Sequence, residues 1–421
     1  MFGLGRLWGR RRELNLYGDF GCHVLTVETR NNLKIQCFDF VCILGSFSPV
    51  HEALFRVIAQ PRTWQVQEGD LAMTAPFRVA LSGDFRNPDG SPVFPDFKLV
   101  PLSSAPGIEV EYLEPSNTIR AEQVENFDAL ILFAARFGRE SIHPNGRLAV
   151  VARFGVGYDT VDVDACTAAG IALVITPDGV RRPVAVSIIT LMLALTGKLM
   201  IKDALTRQAA GGFARRGEHM GVGLVGRTLG SIGLGNIGAE LFRLARPFDL
   251  RFIAYDPYPD GKLAADLGVE LVALDDVFRQ ADILSVNCPL IDASHHLVNA
   301  ERLAQMKPTA YLINTARGPI VDQRALTKVL QERLIAGAGL DVLESEPPDA
   351  ADPILKLDNV ILTPHALCWT DQCFAGCGVA DVKAVIDVQH GREPHAVVNR
   401  VVLATKTWQR RMADLRARFG E

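Results

Sequence analysis

Thr228-Leu229-Gly230-Ser231-Ile232-Gly233-Leu234-Gly235-Asn236-Ile237-Gly238 is the stretch that decides the fold of this chain. A strand-like run leads into a GxGxxG loop, and Ile237 to Leu244 continues as a helix-like segment. Alone, such a loop is weak evidence, because a tight turn with close helix–strand packing uses the same glycines. Its surroundings strengthen it. Leu250-Arg251-Phe252-Ile253-Ala254-Tyr255-Asp256 reads as the next strand and ends in an acid 18 positions after Gly238. That is close to the spacing of about 20 for a ribose-binding carboxylate. In this reading Gly233, Gly235 and Gly238 let the backbone approach a pyrophosphate. The helix start at Asn236 and Ile237 presents unpaired N–H groups and the positive end of a dipole. Asp256 accepts the ribose hydroxyls of NAD and repels the extra phosphate of NADP, so NAD is the expected cofactor.

Outward from the loop, strand signals alternate with helix-length segments from Phe77 to His365, the pattern of a parallel α/β sheet. Upstream strand candidates lie at 77–81, 128–133, 148–152 and 170–175, and downstream ones at 251–255, 282–287, 309–314, 336–341 and 359–363. Thr176-Pro177-Asp178-Gly179 reads as a turn. Val184 to Leu195 reads as a buried helix. Interrupted by Ser187 and Thr190, it falls short of the roughly 20 apolar residues of a membrane span.

Three short motifs follow the glycine loop in order: Asn314-Thr315-Ala316-Arg317-Gly318, Leu340-Asp341-Val342-Leu343-Glu344-Ser345-Glu346-Pro347 and Thr363-Pro364-His365-Ala366. They supply a fixed cation, a carboxylate and an imidazole. Moving a hydride and a proton between a hydroxy acid and a nicotinamide needs those three groups. Singly, Arg317 reads as a surface ion pair, Glu346 as a solvated turn residue and His365 as a satisfied loop histidine. Their joint occurrence in this order favours catalysis.

With Arg153-Phe154-Gly155-Val156-Gly157-Tyr158-Asp159-Thr160-Val161-Asp162 added, the chain resembles the D-isomer-specific 2-hydroxyacid dehydrogenases over roughly residues 77 to 400. The resemblance implies two Rossmann-like α/β domains with parallel sheets, the cofactor domain inserted into the substrate domain. Residues 77–178 plus 367–405 would form the substrate domain and 179–366 the NAD-binding domain, with the 184–195 helix at the hinge. It implies NAD-dependent interconversion of a small D-2-hydroxy acid and its 2-keto acid. His365 would exchange the proton, Glu346 would fix its tautomer, and Arg317 would pair with the substrate carboxylate. Gly155, Val156 and Gly157 would cradle that carboxylate. Thr315, Ala316 and Asp341 would line the nicotinamide and ribose side, with Pro289 and Leu290 nearby. A homodimer paired through the cofactor domains is also implied. The competing function is an NAD(H)-sensing binding protein of the same fold.

The match departs from the family in places that bear on substrate. Phe133 makes apolar a corner where phosphoglycerate-acting relatives tend to carry arginine, with Arg136 nearby to compensate. The hinge has Ala185-Val186 where Ala-Glu is usual. Trp369 follows the catalytic histidine, and Arg181 and Arg182 sit at the hinge within reach of an anionic substrate.

Composition sets mild bounds. With 421 residues and 48% hydrophobic content, the chain can bury a large core in two domains. A net charge of −4 gives no reason to expect nucleic acid, whose backbone calls for a concentrated basic face. Eight cysteines without a CxxC pair read as reduced thiols in a cytoplasmic protein. Cys368, Cys373 and Cys377 cluster near His365, but their spacing fits no usual zinc pattern, so no metal is expected. Residues 1 to 72 show no sustained helical or strand period and hold three of the eight cysteines. They read as a mispredicted extension or a poorly ordered arm, with Met73 as the natural start. A transit peptide is the competing reading, and acidic residues from Glu13 onward weigh against it.

Overall fold

The computed structural model describes residues 75–420 and, before them, the backbone of four strands. These are β1 (Arg12–Tyr17), β2 (Cys22–Glu28), β3 (Lys34–Asp39) and β4 (Pro61–Gln65), paired antiparallel in that order. They arise where the sequence shows no sustained strand period, and they belong to a separate unit, Met1–Ala75. The rest of the expectation for residues 1 to 72 lies outside the described residues.

Pro76–Glu421 forms the second unit, built on two parallel sheets. The first contains β5 (Phe77–Leu81), β6 (Ile108–Tyr112), β7 (Ala129–Leu132), β8 (Val150–Arg153) and β9 (Ala172–Ile175), in the order β6-β5-β7-β8-β9. The second contains β10 (Thr228–Ile232), β11 (Arg251–Tyr255), β12 (Val269–Leu271), β13 (Ile283–Val286), β14 (Tyr311–Asn314), β15 (Gly337–Leu340) and β16 (Val360–Leu362). Its order is β12-β11-β10-β13-β14-β15-β16. Strands β7, β13 and β14 are buried at every residue, which explains why β7 is an unbroken apolar run and why the other two carry a single polar residue each. Both strand orders reverse direction once, between β5 and β7 and between β10 and β13. Such reversals open a crevice at the carboxyl ends of the strands, where α/β proteins bind ligands.

The helix Pro177–Thr196 packs against both the helix Asn236–Ala245 and the helix Asp371–Gln389, and so ties the two halves together. It begins at Pro177, where a turn is expected from sequence. Proline at the first helical positions loses no hydrogen bond, so the same residues open a helix here. The helix is long and apolar enough to cross a membrane, yet 56% of its most apolar window is buried inside the protein. Ile188, Leu191, Met192 and Leu195 face the core, each contributing about 1.5–3 kcal/mol on burial.

The chain end returns to the first sheet. Val397 bridges Val174. Asn399 Oδ1 accepts from Leu173 N–H at 2.9 Å, and its Nδ2 donates to Ile171 O at 3.0 Å. A last helix, Lys406–Phe419, continues past residue 405 and sets Phe419 edge-on against Phe77, with ring centroids 6.1 Å apart.

Candidate active site

Each glycine of the loop has its own steric reason. Gly233 follows β10 at φ +102°, a conformation side chains rarely adopt, and a Cβ there would meet Asn287 O at 2.8 Å. A Cβ on Gly238 would meet Gly233 O at 2.4 Å, so the helix Asn236–Ala245 can lie close to its strand only without one. A Cβ on Gly235 would meet none of the described residues within 4 Å; its surface is open to a ligand. Asp256, just beyond β11, braces the loop. Its Oδ2 accepts from Leu234 N–H at 2.8 Å and its Oδ1 from Tyr258 N–H at 2.9 Å. Each oxygen keeps a lone pair for a ribose hydroxyl.

Arg317 lies beyond β14, where Asn314 folds the turn by accepting from Ala316 N–H (3.0 Å) and donating to Arg317 O (2.9 Å). The guanidinium reaches across to the first sheet. Its Nε donates to Asp159 Oδ1 at 2.8 Å, and its Nη1 donates to Ala316 O at 2.7 Å. It lies directly over Gly157, where a Cβ would sit 1.2 Å from Nη2. Arg317 is thereby brought beside Gly155, Val156 and Gly157 in one cleft. Burial alone would raise the Asp159 carboxyl, but the charge and hydrogen bond of Arg317 hold it below its ordinary value.

His365 stands between β16 and the helix Asp371–Gln389 at φ +54°, unusual for a residue with a side chain. Its N–H donates to Asp341 O at 2.8 Å. Asp341 Oδ1 also accepts from the Thr363 hydroxyl (2.6 Å) and from Ala366 and Leu367 N–H (both 3.1 Å). Asp341, expected from sequence to line the cofactor side, thus also builds the loop that carries the histidine. Nδ1 of His365 lies 2.8 Å from Glu346 Oε2, and Leu343 N–H donates to Glu346 Oε1 at 2.9 Å. Burial would raise the Glu346 carboxyl; the His365 and Leu343 hydrogen bonds and the charges of His365 and Arg317 hold it below its ordinary value. An ionised carboxylate only accepts, so Nδ1 carries the hydrogen and Nε2 is left for a reacting group.

One cleft of about 540 Å³ gathers these groups. Its lining includes Gly155, Val156, Gly157, Asn236, Ile237, Pro289, Leu290, Thr315, Ala316, Arg317, Asp341 and His365. Gly233, Gly235, Gly238, Asp256 and Glu346 lie outside the lining. Phe133 and Trp369 line it, whereas Arg136, Arg181 and Arg182 do not. Arg182 pairs instead with Glu240 at 2.6 Å and Arg181 with Asp178 at 3.4 Å. Thr315 Oγ1 is buried with no hydrogen-bond partner among the described residues, a polar atom placed to meet a cofactor. Sequence reading missed two functional neighbours. Asn287, whose Nδ2 donates to Ser231 Oγ at 2.8 Å, lines the cleft at the β10–β13 reversal. Asp159, inside the Arg153–Asp162 motif, carries no local sign that it partners Arg317. Cys368, Cys373 and Cys377 line the same cleft, and all three are free thiols.

A dinucleotide-type loop, an arginine and a carboxylate-held histidine around one cleft define a nicotinamide-dependent oxidoreductase. Comparison with known proteins gives its kin. The D-isomer specific 2-hydroxyacid dehydrogenase NAD-binding domain profile matches residues 189–366. A glyoxylate reductase of Korarchaeum cryptofilum is 36% identical over 294 residues, 69% of this chain and 89% of that protein. A D-3-phosphoglycerate dehydrogenase of Methanocaldococcus jannaschii is 35% identical over 66% of this chain and 53% of its own length. The crystal structure of the TT0316 protein from Thermus thermophilus superimposes with a TM-score of 0.66 at 30% identity, covering 76% of this chain and 99% of that one. The chain belongs to the D-isomer-specific 2-hydroxyacid dehydrogenase family. It is an oxidoreductase with an NAD(P)-binding domain.

Proposed function

We propose that this protein interconverts a small D-2-hydroxy acid and its 2-keto acid with NAD as the preferred cofactor. The observation that carries the reading is the convergence of Arg317, Gly157 and the Glu346-held imidazole of His365 on one cleft. Gly233, Gly235 and Gly238, with the helix start at Asn236 and Ile237, would hold a dinucleotide's pyrophosphate. Asp256 would accept from its ribose, and Pro289, Thr315, Ala316 and Asp341 would flank the nicotinamide end. Bound there, the cofactor supplies or accepts a hydride.

The chain's own residues do the rest. Arg317 pairs its planar fork with the substrate carboxylate and draws electron density from the neighbouring carbonyl. Backbone N–H groups of Val156 and Gly157 share that carboxylate, with Gly155 shaping the turn. In the reducing direction His365 gives the proton on Nε2 to the carbonyl oxygen; in the oxidising direction Nε2 removes it from the hydroxyl. Glu346 keeps the ring oriented, with Nδ1 held and Nε2 facing the reacting group. We also infer a cytoplasmic homodimer. Val186, Leu193, Leu199 and Met200, exposed on consecutive helices of the 177–207 region, support self-association.

The test is NADH oxidation by the full chain with glyoxylate, hydroxypyruvate, pyruvate and phosphohydroxypyruvate, with His365→Asn as control. Turnover that falls away in the variant supports the reading. Tight NADH binding with no turnover of any 2-keto acid would replace it with a cofactor-sensing binding protein.

A further inference from the structure

We propose that the acid handled here carries an aromatic or similarly bulky apolar group on its third carbon, held against Phe133 and Trp369. This inference rests on the reaction just proposed and names the substrate class for the same cleft. Its basis is the wall opposite the charged groups. Phe133 follows β7 and Phe154 follows β8, so both stand at the carboxyl ends of the first sheet beside its reversal. Trp369 and Phe374 close the wall from the segment after His365.

The rings are fixed. Phe133 stacks on buried Phe85 (5.2 Å, 27° between planes) and meets Phe154 edge-on at 5.9 Å. Its backbone N–H donates to Ser82 Oγ at 2.9 Å, which sets where the ring enters the cleft. Trp369 leans on Phe133 at 5.9 Å and meets Phe374 edge-on at 5.4 Å. Phe154 and Phe374 are fully packed, but Trp369 remains 43% exposed. A large ring left open at the mouth of a site, braced by others behind it, is a surface suited to another apolar ring.

Charge argues the same way. Among the described residues lining the cleft, the cationic side chains are Arg153 and Arg317, with His365 when protonated. Arg317 is committed to Asp159 and the substrate carboxylate. Arg153 is half-buried; its Nη1 donates to Phe154 O, and its Nε has no hydrogen-bond partner among the described residues. A phosphate on the third carbon set against Phe133 and Trp369 would meet aromatic faces, a costly desolvation. Glyoxylate, with hydrogen in place of a side chain, would leave the wall uncovered. Apolar pockets discriminate by roughly 10–200-fold per methylene-sized group, so a phenyl ring gives a readable preference.

The experiment compares kcat/KM of the full chain for phenylpyruvate, glyoxylate and phosphohydroxypyruvate, with NADH and with NADPH. The same ratios are then measured for Trp369→Ala and for the milder Trp369→Leu. The proposal expects phenylpyruvate to exceed both others by at least about tenfold, and the phenylpyruvate-to-glyoxylate ratio to fall at least about tenfold in Trp369→Ala. A ratio is internal to each protein, so it survives partial loss of folded enzyme, and the wild-type ranking stands without any variant. Preference for glyoxylate or phosphohydroxypyruvate would overturn the inference and leave the proposed reaction standing. Turnover of none of the three acids, with none of pyruvate or hydroxypyruvate either, would overturn both.

Discussion

Adding one methyl group at Gly157 should disable Arg317 without touching it chemically. In Gly157→Ala the new Cβ would lie 1.2 Å from Nη2 and 2.4 Å from Cζ of Arg317. Ordinary contact begins near 3.4 Å, so the guanidinium has to move by about 2 Å. The move breaks the 2.8 Å bond from Nε to Asp159 and shifts the fork away from the substrate carboxylate. Misplacement of a positioning group by about 1 Å costs on the order of 10²-fold, so kcat/KM should fall by at least about 10². The assay is steady-state NADH oxidation by wild type, Gly157→Ala, Arg317→Ala and the double variant. If the glycine acts through the arginine, the double variant should be no worse than Arg317→Ala alone. Gly157→Ala retaining wild-type kcat/KM, or lowering activity equally in the Arg317→Ala background, would refute the reasoning.

Further predictions concern single groups. His365→Asn should lower turnover by on the order of 10²–10⁴ while NADH affinity, read by fluorescence titration, changes little. Glu346→Gln should lower kcat more than it raises KM, because it releases the ring that Glu346 Oε2 holds at 2.8 Å; a change confined to KM would count against that role. Asp256→Ser should reduce the NADH-over-NADPH preference in kcat/KM by at least about tenfold, about 1.4 kcal/mol, and an unchanged preference would remove Asp256 from cofactor choice. Asp381 is fully buried, with no hydrogen-bond partner for either oxygen among the described residues. Burial, then the neighbouring Cys377, push its carboxyl well above the usual range, and the Arg153 charge opposes them. The unfolded chain then gives up this proton at lower pH than the folded one, and the stability penalty grows as pH rises above about 3.9. Asp381→Asn should raise Tm at pH 8 by more than at pH 4; the same change at both would contradict this.

What the sequence made legible was local. The glycine loop, the acid ending β11 and the motifs around Arg317, Glu346 and His365 are short contiguous patterns, and periodicity located most strands of the second sheet. Contacts between distant segments were not legible. Asp159 and Arg317 are 158 positions apart, and nothing in either motif announces the pairing. Strand β6 carries the apolar–acidic alternation Ile108-Glu109-Val110-Glu111-Tyr112 of an edge strand and lacks the continuous apolar run that marks its buried neighbours, and β12 is only three residues long. Proline and Asp-Gly at 177–179 serve a turn and a helix start equally well until the packing of the following helix decides. The aromatic wall draws on Phe85, Phe133, Phe154, Trp369 and Phe374, which converge only when the chain end returns to the first sheet.

The central claim is hydride transfer at a carbonyl made reactive by Arg317 and His365. Its most direct measurement follows NADH carrying deuterium at both C4 positions during reduction of a 2-keto acid and determines the label and configuration of the product. The account predicts one D-2-hydroxy acid, labelled at C2, for each NADH consumed, with the yield collapsing in His365→Asn. An L product, label lost to water, or undiminished turnover in His365→Asn would contradict it.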